Sequence, residues 1–163
     1  MATPRRIPGL NYGAPGCYFV TIVTAARRPR LGILEPSGVR PSAIGHMVLE
    51  AWDRVGVRRP WVSTLAFCIM PDHCHGLLAW ARTPERRGQT ISLIVNGFKA
   101  EATRLARRNR LLRGDEMLWQ RSFDVRMLTT DRAVERASRY IADNPVRAWI
   151  RLTQASPRPD GRG

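Results

Sequence analysis

The chain has 163 residues, 44% of them apolar, and a formal charge of +14 from 27 Lys and Arg against 13 Asp and Glu. That length and balance suit one domain with a sizeable core and exclude a chain too polar to fold. No apolar run reaches the ~18 residues of a membrane span, and the basic N-terminus lacks the apolar stretch of a secretory signal, so a cytoplasmic, nucleoid-associated protein is expected.

Lys99 is the only lysine, so nearly all the positive charge is arginine, which forks onto phosphate and stacks on bases. A field of this sign favours a nucleic-acid partner; the plainer alternative is a solvated basic surface. Cys17, Cys68 and Cys74 are odd in number and follow no familiar metal spacing, which fits reduced, buried thiols.

Residues 1–15 are rich in Pro, Gly and Arg and read as a basic arm. Tyr18 to Thr24 is β-branched and aromatic and predicts a strand; Arg27-Arg28-Pro29-Arg30 ends it. A loop or short hairpin with Gly32, Pro36 and Gly38 follows. Ser42 can cap a helix whose apolar stripe is Ile44, Val48, Trp52 and Val55, closed by Pro60. Residues 63–70 predict a second strand with Leu65, Phe67 and Ile69 on one face. Pro71-Asp72 then makes a bulge or tight turn before a strand over 73–80.

Residues 82–88 form a charged loop. From 90 to about 110, Ile91, Ile94, Val95, Phe98, Ala102 and Leu105 recur at helical spacing. Phe123, Val125 and Met127 alternate as a short strand. Asp131 opens a last helix, expected to stop near Asp143 because Pro145 disfavours helical geometry at Asn144. Residues 153–163 read as a disordered tail. The main domain is therefore expected over 16–152. Strands alternating with helices around a central hairpin predict an α+β fold, a largely antiparallel sheet with its helices packed mainly on one face.

Two of the three histidines lie in Met70-Pro71-Asp72-His73-Cys74-His75-Gly76. A strand alternates its side chains, so His73 and His75 share a face and offer half a divalent-metal site. On the last helix, Tyr140 and Asn144 are four residues apart at the margin of the stripe Ala133, Val134, Ala137 and Ile141. That pair can be a half-buried phenol and a helix C-cap. Alternatively it supplies a nucleophile and an oxygen ligand to the same pocket.

Five blocks in order resemble the HUH single-tyrosine transposases, most closely the REP-associated tyrosine transposases. They are Gly16-Cys17-Tyr18-Phe19-Val20-Thr21, the His73-Cys74-His75 stretch, Gly97-Phe98-Lys99, Trp119-Gln120-Arg121 and Tyr140-Ile141-Ala142-Asp143-Asn144-Pro145. The resemblance implies a ferredoxin-like domain and an enzyme that cuts and rejoins single-stranded DNA beside a hairpin or palindromic repeat, with Mg²⁺ or Mn²⁺. It implies His73, His75 and Asn144 as metal ligands. Tyr140 would be the nucleophile that forms a 5′-phosphotyrosine and frees a 3′-OH. It leaves open a monomer or a homodimer.

The chain departs from that pattern twice. Cys74 stands where a large hydrophobe is usual, and on a strand it faces away from the histidines. Many relatives carry an acidic–His pair after the Trp119 block and an Arg three residues beyond it; here those positions are Val125, Arg126 and Thr129, with Asp124 one residue early.

Candidate DNA contacts are Arg5, Arg6, Arg27, Arg28, Lys99, Arg104 and Arg121, with Lys99 favoured by the resemblance. Three rivals stand beside the enzyme: a hairpin-DNA-binding protein without activity, a tyrosine-dependent RNA processor, and a zinc site from Cys68, His73, Cys74 and His75. The last is opposed by the outward and inward alternation of a strand.

Overall fold

A computed structural model of the chain describes residues 16–80 and 90–155. The arm with Arg5 and Arg6, the loop over 82–88 and the tail from 156 lie outside the described residues. In order the elements are β1 (Gly16–Val23), β2 (Gly32–Glu35), β3 (Gly38–Pro41), α1 (Ala43–Arg58), β4 (Val62–Ile69), β5 (His73–Trp80), α2 (Ile91–Arg108), β6 (Asp124–Leu128) and α3 (Asp131–Ala155). Four strands form one antiparallel sheet in the order β4-β5-β1-β6, and β2 and β3 pair as a separate hairpin. The series β1-α1-β4-β5-α2-β6 is the ferredoxin-like arrangement expected, with a hairpin inserted after β1 and α3 added at the end.

The two sheet faces are covered unequally. Tyr18, Val20 and Ile22 of β1 join Cys74, Leu78 and Trp80 of β5 and Val125 of β6 on one face, under α1 and α2. Those helices supply Val48, Trp52, Val55, Ile94, Phe98 and Leu105, the stripes that their periodicity predicts. Each is capped as it begins, Ser42 accepting from the Gly45 amide at 3.0 Å and Thr90 from the Leu93 amide at 3.3 Å. Stacked rings fill this side, Trp52 on Phe67 at 4.3 Å and Tyr18 on Trp80 at 4.6 Å. The opposite face carries a smaller cluster, Leu77 and Leu128 under Ala137 and Ile141 of α3.

One carboxylate ties α1 to α2. Glu101, 5% exposed, accepts from Arg54 at 2.8 Å and from Arg104 at 2.7 and 3.0 Å, and pairs with Arg58 at 3.1 Å. The Arg104 hydrogen bonds, then those of Arg54 and the charge of Arg58, hold its carboxyl at about 2 against the desolvation of burial.

Two expectations are corrected. The alternation over 63–70 breaks at Leu65, because a bulge between Thr64 and Ala66 leaves Leu65 as the extra residue, 45% exposed, while Phe67 and Ile69 face the core. Nor does the last helix stop at Pro145. It continues to Ala155 and takes in residues 153–155, which the composition assigns to a tail. A proline inside a helix costs ~3 kcal/mol in isolation. Here the far half of α3 packs on the β2–β3 hairpin, with Pro145 3.8 Å from where a Cβ on Gly38 would stand. Tertiary contact outweighs the local preference.

Gly76 has no room for a side chain: a Cβ there would lie 2.3 and 2.7 Å from ring atoms of Trp52. Gly76→Ala should destabilise by ~1–3 kcal/mol through overpacking. Gly56→Ala, whose Cβ would meet only the Val62 carbonyl at 3.6 Å, should instead stabilise α1 by ~0.5–1 kcal/mol. Thermal unfolding of the two variants against the parent checks both signs.

Candidate active site

β5 starts where the β4–β5 turn ends, and that turn is held from outside. The Met70 amide donates to the His73 carbonyl at 2.7 Å, closing the turn over Pro71 and Asp72. Thr24, fully buried after β1, donates both its amide and its hydroxyl to the Asp72 carbonyl at 2.9 Å. The Leu31 amide donates to the Pro71 carbonyl at 3.0 Å. His73 therefore emerges from a fixed backbone rather than from a free loop.

Strand alternation then puts His73 and His75 on the α3 side of the sheet, with ring centroids 4.8 Å apart. Each ring is oriented through Nδ1. His73 Nδ1 lies 2.6 Å from Asp72 Oδ1, and His75 Nδ1 lies 2.9 Å from Thr21 Oγ1, the residue paired with it across β1 and β5. Both Nε2 atoms are left for a ligand, the carboxylate-or-hydroxyl-backed arrangement that metal-binding histidines use. Burial, reinforced by His73 nearby, pulls the His75 pKa down to about 4, so its ring is neutral at pH 7 with a lone pair to give. Burial opposes the charge on Asp72, but the hydrogen bond and charge of His73 and then of Arg27 outweigh it and lower its pKa. Arg27 reaches Asp72 at 3.2 Å from a turn in which Ala26 and Arg27 both hold positive φ, 53° and 51°. Two such residues in succession store backbone strain and aim the guanidinium at the His73 support.

Tyr140 comes from α3. Ala137 and Ile141 seat the helix on Leu77, and the Tyr140 ring, 42% exposed, lies edge-on to His75 at 5.5 Å and to Phe19 at 6.0 Å. Phe19 in turn lies 5.3 Å from His75. Asn144, one turn further, is 5% exposed on the sheet-facing stripe of α3. No hydrogen bond joins its carboxamide to either histidine or to any other described residue. The structure thus brings His73, His75 and Tyr140 into one cluster and buries Asn144 one turn further along α3.

Among the described residues no three His, Cys, Asp or Glu side chains form a metal cluster. A divalent ion fits the donor set only if the two imidazoles are joined by another oxygen, and an amide oxygen one helical turn from Tyr140 is the right kind. The zinc alternative does not fit. Cys74 is fully buried on the opposite face, and burial raises its thiol pKa well above the usual value and that of Cys68 to about 11.

Of the expected DNA contacts, Arg27 stands next to the histidines, and Arg28 and Arg121 are exposed. Lys99 is otherwise engaged. Its ammonium donates to the carbonyls of Gln120 at 2.7 Å and Arg121 at 2.9 Å, and burial lowers its pKa. Arg104 is held by Glu101 on the far side of the sheet. What alternation alone did not single out is the wall beside Tyr140: Phe19, Thr21 and Arg126, which with Arg136 line an open groove of about 1480 Å³ over the α3 side of the sheet. Phe19, Thr21 and the histidines share a face only through the register of β1 on β5, which no local pattern encodes.

Comparison with known proteins bears on the family and the fold. Residues 57–144, more than half the chain, match the model of a family described as IS200-like transposases. An uncharacterized protein of Haemophilus influenzae is 27% identical over 158 residues, with 86% of each chain covered. A solved structure of a REP-associated tyrosine transposase bound to a REP hairpin superposes with a TM-score of 0.62 at 20% identity, covering all of this chain and 92% of that one. A candidate transposase of Deinococcus radiodurans R1 gives a TM-score of 0.53 at 18% identity, covering 85% of this chain and 96% of that one. At these identities the two structures speak to fold alone. Among the described residues no helix is long and apolar enough to cross a membrane.

The His75 environment has a pH consequence in the metal-free protein. The unfolded chain takes up a proton on this imidazole near 6.5, while the folded protein holds it off to about 4. Between those values the unfolded state binds more protons, so stability falls as pH drops, by ~2 kcal/mol after allowance for solvent screening. NMR titration should place the His75 midpoint near 4, and His75→Gln should flatten the stability profile across the same window.

Proposed function

This chain belongs to the family of IS200-like transposases, and from that membership we propose that it nicks and rejoins single-stranded DNA at a hairpin or palindromic repeat. The observation that carries this reading is the Tyr140 ring packed against His75 at 5.5 Å, with His73 alongside. A phenol on a helix beside two backed imidazoles is poised for nucleophilic attack at phosphorus rather than for packing alone. The hairpin named for the REP-associated structure supports DNA of that kind as the partner.

In this reading a single strand lies along the groove and Tyr140 Oη attacks one phosphate. The new bond joins Oη to phosphorus as the bond from phosphorus to the 3′ oxygen breaks. The phenolic proton is lost to solvent, which Tyr140 reaches, and the departing oxygen is protonated to a 3′-OH. Tyr140 then holds the 5′-phosphate, and attack by a 3′-OH runs the step backwards and rejoins strands without a nucleotide cofactor. His73 Nε2, His75 Nε2 and the Asn144 carboxamide oxygen would hold Mg²⁺ or Mn²⁺. When bound, the ion offsets charge building on the phosphate oxygens. Asp72 and Thr21 fix the two imidazoles, and Arg27 holds Asp72 in place.

Incubation with a labelled hairpin oligonucleotide and Mg²⁺ or Mn²⁺ should give a denaturant-resistant protein–DNA adduct, absent in Tyr140→Phe and lost on chelation. His73→Ala should lower cleavage by on the order of 10²-fold or more while changing hairpin binding by less than about tenfold. Hairpin binding with no adduct across a range of palindromes would replace this reading with a DNA-binding protein of the same fold.

A further inference from the structure

The groove beside Tyr140 contains an arginine that no carboxylate holds among the described residues. Arg126 projects from β6, the edge strand, directly across from Phe19 on β1. Its guanidinium carbon sits 5.5 Å from the centre of the Phe19 ring. The same ring is 5.3 Å from His75 and 6.0 Å from Tyr140, so the four side chains form one continuous row from metal half-site to edge strand. Two other arginines at this groove are partly neutralised, Arg147 by Asp143 at 3.5 Å and Arg139 by Glu135 at 3.8 Å. Arg136 on α3 has no ion pair among the described residues and, unlike Arg126, no aromatic seat among them either. Arg126 makes no ion pair and no side-chain hydrogen bond with any described residue.

A guanidinium resting on an aromatic face is held in place by its π surface, while its N–H donors lie in the plane and point outward. That leaves a pre-oriented fork whose natural acceptor is a phosphate oxygen pair. We propose that Arg126, seated on Phe19, grips a backbone phosphate of the single strand next to the one that Tyr140 attacks. This rests on the reading of Tyr140 as nucleophile for its position relative to the cut, but not for the contact itself. Arg126 is a substrate-binding residue here. It sets where the strand lies, and therefore which phosphate is presented, without taking part in bond making.

The contact has a signature that mere packing lacks. One phosphate contact fewer should reduce the log–log salt dependence of binding by about one, whatever the base sequence. The test measures binding of full-length protein carrying Tyr140→Phe, so that no cleavage intervenes, to hairpin oligonucleotides with single-stranded flanks of several sequences and at several salt concentrations. Adding Arg126→Ala should weaken binding about tenfold at low salt, with the slope reduced by about one for every flank. Arg126→Lys should restore the slope but only part of the affinity, because an ammonium keeps the charge and loses the fork. In the protein with Tyr140 intact, Arg126→Ala should lower adduct yield or shift the cut to a neighbouring phosphate.

Arg126 is exposed on an edge strand, and an unchanged melting temperature would show that the variants fold. An unchanged salt slope would overturn the proposal, as would a loss confined to one flank sequence, which would assign Arg126 to a base edge instead. If the parent forms no adduct with any hairpin, the proposed chemistry fails, yet the salt slope still decides the Arg126 contact.

Discussion

The pairing of β1 with β5 is the constraint on which the rest depends. Its register sets Thr21 opposite His75 and Val23 opposite His73. From that follow the Thr21 support of His75, the nearness of Phe19 to the imidazoles, and the reach of Thr24 onto the Asp72 carbonyl. A slip of one residue would turn every β1 side chain to the other face, exchanging Thr21 and Phe19 for apolar Val20 and Ile22. Such a slip is opposed on the other side of the sheet. Tyr18, Val20 and Ile22 are all within about 1% of full burial there, and the Gly76 backbone leaves only the space that Trp52 fills. The apolar core therefore sets the polar geometry.

The two faces of the sheet divide the labour. One is deeply covered by two helices, joined across their contact by a buried Glu101 and its arginines. The other is covered thinly by α3, whose buried apolar residues, Ala137 and Ile141, pack with Leu77 and Leu128 of the sheet. A thin cover suits a site that must admit a polymer: it anchors Tyr140 at the margin while leaving the groove open. It also makes the position of Tyr140 depend on the length of α3. The helix gains a second hold where Pro145 and the residues beyond it reach the β2–β3 hairpin. A helix ending at residue 143 would lack that hold.

What the sequence made legible is what local periodicity and short motifs encode. The strand alternation that pairs His73 with His75 and sends Cys74 to the core is local, and so are the Ser42 and Thr90 caps and the stripes of α1 and α2. The order of strands and helices was enough for an α+β fold on a largely antiparallel sheet, and the ferredoxin-like arrangement followed from the family resemblance. Features set by distant parts of the chain were not legible. Leu65 obeys alternation until a bulge against β5 displaces it. Pro145 obeys its backbone preference until a hairpin more than 100 positions earlier supplies compensating contact. Lys99 looks like a free cation on a helix, yet two carbonyls from the segment before β6 occupy it. In each case a correct local rule lost to a contact of long sequence separation.

The charge shows the same lesson in another form. A total of +14 treats every arginine alike, but the fold does not. On the α1–α2 side Arg54, Arg58 and Arg104 converge on Glu101, and Glu50 also pairs with Arg54, so their charge is partly offset within the protein. At the far end of the histidine pair Arg27 serves Asp72. On the α3 side Arg126 and Arg136 line the groove without an ion pair to any described carboxylate, although Asp124 and Asp143 line it too. Because a cation held by an internal partner attracts a phosphate only weakly, the effective positive field concentrates where the partners run out. One such place among the described residues is the wall next to Tyr140, where Arg126 and Arg136 supply positive charge beside the proposed nucleophile.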